Sequence, residues 1–139
     1  RRPQRFTLFP YPTLFRSVVG SVVQLEDVLS LRDHNNANSF WLFCDGEDGY
    51  PAIHMLVRDG LAVLHYYASE GDAGIRSVGE DLPGIGLDPD GDTVFYQTSG
   101  GEELPVWNDM VLPVNRGLEA AKQFFDSHTK PTTIEWEDL

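Results

Sequence analysis

The alternation of apolar and polar side chains is clearest between residues 52 and 68. Ala52 to Val57 and Leu61 to Ala68 are two apolar runs joined by Arg58-Asp59-Gly60. Asp-Gly between two such runs predicts a tight hairpin, because a two-residue turn needs backbone conformations that Asp and Gly tolerate. With the turn at Asp59-Gly60, Arg58 faces Leu61 and His54 faces His65. Successive strand side chains point to opposite faces. One face therefore carries Ile53, Met55, Val57, Ala62, Leu64 and Tyr66, and is assigned to the core. The other carries His54, Leu56, Arg58, Val63, His65 and Tyr67, a mixed face.

The same pattern extends along the chain. Ser39 to Cys44 (SFWLFC) is a short aromatic-rich apolar run, which predicts a buried strand. Before it, Leu25, Val28, Leu29 and Arg32 recur at helical spacing, with Glu26 and Asp27 near the start, predicting a helix over 24–33. Asp45 to Gly49 reads as an acidic turn, and 69–91 is rich in Gly, Asp and Pro, with room for one short strand near Ile75 to Val78. Thr93 to Thr98 and Glu102 to Trp107 predict a second hairpin, with Pro105 suited to an edge or a bulge. Asn115 is the expected N-cap of the longest helix, running to about Ser127 with Leu118, Ala121, Phe124 and Phe125 inward. Thr132 to Trp136 alternates and predicts a last strand, and Trp41, Trp107 and Trp136 are assigned to the core. The order predicts one α+β domain: a mainly antiparallel sheet of about five to six strands, an N-terminal helix and a longer C-terminal helix.

The first seventeen residues stand apart. Thr7 to Ser17 reads TLFPYPTLFRS, which resembles the translation of a short-read sequencing adapter (TLFPYTTLFRS) at every position but Pro12. Residues 1–17 are therefore expected to be an artefact or a disordered arm, and 18–139 the domain.

Composition narrows the function. The chain has 139 residues, 41% of them hydrophobic, enough for one domain with its own core. It carries 22 acidic against 10 basic side chains, a net charge of −12. Arg1, Arg2, Arg5 and Arg16 all fall in the first seventeen residues, where no acid does. The remainder holds 6 basic against 22 acidic side chains, or −16. Phosphate backbones need a basic footprint, so direct nucleic-acid binding is not expected; a cationic partner is. A single cysteine, Cys44, excludes a disulfide framework and a thiolate zinc cluster and suits a reducing cytoplasm. No apolar run reaches membrane-spanning length, and no signal peptide is apparent.

Candidate chemistry is sparse. Asp88-Pro89-Asp90-Gly91-Asp92 fails the EF-hand pattern, because Thr93 and Ser99 stand where glycine and a bidentate glutamate are needed. His54 and His65 supply two imidazoles, one ligand short of a catalytic zinc site, and the sequence places neither Cys44 nor His34 beside them. Cys44 has no recognisable His partner for nucleophilic catalysis. Gly84-Ile85-Gly86 lacks the rest of a dinucleotide fingerprint. No enzyme activity, cofactor or metal is expected. The alternatives are a small metal-dependent hydrolase built on His54 and His65, and a generic acidic interaction adaptor.

The aromatic strand SFWLF, the hairpin IHMLVRDGLAVLHYY, VFYQ, Val111 to Val114, the helix carrying Phe124-Phe125 and Pro131 to Trp136 follow in that order. Over 18–139 this resembles immunity protein family 1 of bacterial polymorphic toxin systems. The resemblance implies a small cytoplasmic protein that binds and neutralises a toxin encoded beside it, often a nucleic-acid deaminase, by occluding its active site. The toxin's substrate-binding surface would be basic. Acidic and exposed aromatic side chains suit such a basic partner, and the expected contacts are Asp45, Glu47 and Asp48 in the acidic turn, Glu70 and Asp72 in the next loop, and Tyr67 on the mixed face.

Overall fold

In a computed structural model, residues 6–10, 17–44, 48–97 and 101–139 are described. Strands β1 (Phe6–Pro10) and β2 (Ser17–Val19) come first, then helix α1 (Val22–Leu29). Strands β3 (Ala37–Cys44), β4 (Ala52–Arg58), β5 (Leu61–Tyr67) and β6 (Ile75–Ser77) follow. Next come the hairpin strands β7 (Asp92–Tyr96) and β8 (Glu103–Trp107), then β9 (Leu112–Pro113), helix α2 (Val114–Ser127) and β10 (Trp136–Asp138). The main sheet runs β10-β6-β5-β4-β3-β1-β2, with β9 added beside β5, and every described pairing is antiparallel. The α+β class and the antiparallel sheet are as the sequence predicts; several strands of only two or three residues widen the sheet.

The β4–β5 register is the expected one. Arg58 pairs with Leu61 and His54 with His65, and Asp59 takes the positive φ that the tight turn demands. Ile53, Met55, Val57, Ala62 and Leu64 are buried on the helix side with Leu25, Leu29, Phe40, Leu42, Ala120, Ala121, Phe124 and Phe125. Helix α2 lies close to the sheet at Gly117, where an added Cβ would sit 2.9 Å from the Ala62 Cβ and 3.1 Å from the Met55 Cε.

The other sheet face is not simply mixed. Leu56 and Val63 are fully buried there, beneath Phe95 and Val106 of the β7–β8 hairpin, with Val111 alongside. The domain thus has three layers: helices, main sheet and a small two-stranded sheet that covers part of the far face.

Three expected boundaries move for local reasons. Helix α1 starts at Val22, because Ser21 accepts from the Gln24 amide (3.2 Å) and the Gln24 side chain reaches back to the Gly20 amide (2.8 Å), a capping box whose return bond falls one residue before the cap. It ends at Leu29, and the Arg32 guanidinium donates to the Leu29 carbonyl. Asn115 is not the N-cap of α2: Pro113 holds that position in extended backbone, and the Val114 amide donates to Gly60. The terminal strand is Trp136–Asp138 and not 132–136, since the Thr132 and Thr133 amides donate to the Gln123 side chain instead of to a strand.

Candidate functional site

Beyond the edge of the β7–β8 hairpin, the far face of the sheet carries a ladder of rings. Trp41 in β3, His54 in β4 and His65 in β5 are cross-strand neighbours. One row further, Phe43, Ala52 and Tyr67 align in the same way. Trp41 stacks on His54 at 4.5 Å between centroids and on Phe43 at 5.5 Å, and its ring lies 5.5 Å from that of Tyr67. His65 follows at 6.2 Å from His54 and 6.5 Å from Tyr67, and Tyr50 meets Phe43 edge-on. Ala52 contributes almost no bulk, so the large rings on either side converge above it. Trp41, Phe43, His65 and Tyr67 are half-buried. Such residues combine large contact area with fixed position.

The histidines are neutral members of this ladder. His54 is 9% exposed, and its Nε2 lies 2.9 Å from the Ser39 hydroxyl. Burial, with His65 beside it, pushes the His54 pKa down to about 4. Burial and the Arg76 guanidinium hold His65 below its ordinary value as well. The expected register thus brings the two imidazoles together. Among the described residues, no group of three or more metal-binding side chains forms. Cys44 is buried on the opposite, helix-facing side of the sheet, with its thiol pushed up to about 11 by burial and by Asp48.

Two loops leave the sheet at the Phe43–Tyr67 end, and both carry acids. In the β3–β4 loop, exposed Asp48 accepts from the Tyr50 amide (3.1 Å), while Gly49 accepts from the Cys44 amide. Asp45 and Glu47 lie outside the described residues. In the β5–β6 loop, Glu70 and Asp72 are exposed. Asp72 also holds its own loop, accepting from the Ala68 and Gly74 amides at 3.1 and 3.2 Å. Gly74 has φ +84, and an added Cβ would lie 2.6 Å from the Tyr67 ring, so this loop is packed directly on Tyr67. Asp48, Glu70, Asp72 and Tyr67 therefore share one end of the sheet. Arg58 and Arg76, which lie on the same face, are committed internally. Arg58 donates to the Val94 carbonyl and sits over Tyr96, and Arg76 bridges Asp109 and Glu137.

Two features were not anticipated. The Trp41–His54 stack requires the β3–β4 register, which the sequence does not state. Trp107, assigned to the core, is 65% exposed, because it points outward from the small sheet while its neighbour Val106 points inward.

No family model matches the chain. It is 30% identical over 122 residues, 87% of its length and 91% of the relative's, to a double-stranded DNA deaminase immunity protein of Burkholderia cenocepacia (strain H111).

Proposed function

The chain belongs to the family of deaminase immunity proteins, inhibitors and not enzymes, and from that we propose that it neutralises a cognate deaminase toxin in the cytoplasm by covering its substrate-binding surface. A deaminase must hold an anionic backbone while a base enters the zinc pocket, so its working surface is cationic. The observation that supports the binding mode is the aromatic ladder, half-open and rimmed by Asp48, Glu70 and Asp72. The rings offer desolvated contact area; the acids steer and orient a basic partner. Asp45 and Glu47 extend the same acidic loop in sequence. Residues 18–139 form the functional unit in this reading.

The test is a titration of the deaminase domain encoded beside this chain. Asp48→Lys with Glu70→Lys is expected to slow association by about tenfold at low salt and to flatten its salt dependence. Wild-type association in that double variant would count against this face. Failure of the wild-type chain to bind would count against the whole reading.

A further inference from the structure

The β7–β8 hairpin has two unlike faces. Phe95 and Val106 point inward and are buried against Leu56 and Val63. Outward point Glu103, Pro105 and Trp107 from β8, opposite Tyr96, Val94 and Asp92 from β7. Trp107, Pro105, Glu103 and Asp92 are exposed. Trp107 is the one aromatic among the strongly exposed large hydrophobics of the described residues.

The backbone that carries this tryptophan is fixed. The next residue, Asn108, is buried, accepts from the Thr93 hydroxyl at 2.6 Å and donates to the Asp88 carbonyl at 2.8 Å. Its amide donates to Gly91. The backbone beneath Trp107 is thus tied to both the preceding loop and β7. An indole on a fixed frame loses little entropy on binding, which is the profile of an interface anchor. Exposed indole also gains nothing for the fold, since the hydrophobic term needs burial.

We propose that the outer face of this hairpin, anchored by Trp107, is a second contact surface for the same toxin, taking an apolar slot flanked by lysine or arginine side chains. The inference rests on the immunity reading. Charge selects the occupant: Asp92 lies directly across from Trp107 and Glu103 shares its face, both exposed. A second copy of this chain would bring these acids against one another, on a molecule already at −12. The hairpin covers the same sheet face that carries the ring ladder. One partner can therefore meet both.

The experiment titrates an inactive variant of the neighbouring deaminase domain with four proteins: wild type, Trp107→Ala, Trp107→Phe and the Asp48→Lys/Glu70→Lys pair. Trp107→Ala is expected to melt like wild type yet bind about 30-fold more weakly, with Trp107→Phe recovering most of the loss. If Trp107→Ala binds as tightly as wild type while the Asp48/Glu70 pair does not, the hairpin surface is wrong and the immunity reading stands. If wild type does not bind at all, both fall. Sedimentation showing a wild-type dimer that Trp107→Ala dissociates gives the surface to a second copy and overturns the proposal.

Discussion

Replacing His54 by glutamine should remove the part of this fold's acid sensitivity that the His54 imidazole contributes. His54 stands on β4 between Trp41 and His65, buried, with its Nε2 at 2.9 Å from the Ser39 hydroxyl. Its pKa falls from 6.5 to about 4, through burial first and the neighbouring His65 second. Above pH 6.5 the imidazole is neutral in both folded and unfolded chains and costs nothing. As pH falls through 6.5 the unfolded chain binds a proton that the folded chain refuses, so stability declines. The decline continues to about pH 4 and then levels off. The difference between 6.5 and about 4 corresponds to about 3 kcal/mol. Glutamine does not titrate and retains an amide that can pair with Ser39. Urea unfolding of both proteins, followed by tryptophan fluorescence between about pH 7.5 and pH 4, measures the effect. The wild type should lose about 3 kcal/mol more than the variant across that window. His65 moves in the same direction and steepens the fall in both proteins. A constant offset between the two curves would falsify the assignment of His54 as a buried, neutral ring.

Two further outcomes follow from the core. Gly117→Val should lower stability by about 1–3 kcal/mol, because the new side chain meets Ala62 and Met55 where the helix lies close to the sheet; an unchanged melting temperature would show that this contact relaxes freely. The Cys44 thiol, buried and pushed up to about 11, should resist alkylation at about pH 8 in the folded protein and react promptly in urea. Rapid native labelling would place the thiol at the surface.

The β4–β5 hairpin was legible because two local signals agreed: strict alternation and an Asp-Gly turn that permits one register. Alternation also separated Met55 from Leu56, but it could not say what covers Leu56. That answer comes from Phe95 and Val106, some forty to fifty residues away, and non-local packing leaves no mark on the period. Trp107 was misassigned for the same reason. Its parity with Pro105 and Glu103, both outward, was visible in the sequence, but an aromatic residue in a strand is usually core. The start of α1 was missed because β-branched Val22 and Val23 disguise a helix, whereas the Ser21–Gln24 pair was the better cue. Of the nominated contacts, the acids were readable from composition. That Asp48, Glu70, Asp72 and Tyr67 share one end of the sheet follows from two loops leaving paired strands at the same side. That the Trp41 ring completes the site depends on β3 lying against β4, which no spacing encodes.

The most direct measurement mixes the purified chain with the deaminase domain proposed as its partner and follows deamination of a DNA substrate as the chain is added. Activity should fall linearly and vanish near one equivalent, with no loss when an unrelated acidic protein of similar charge is used. Full deaminase activity in the presence of excess wild-type chain would contradict the proposed inhibition of this toxin.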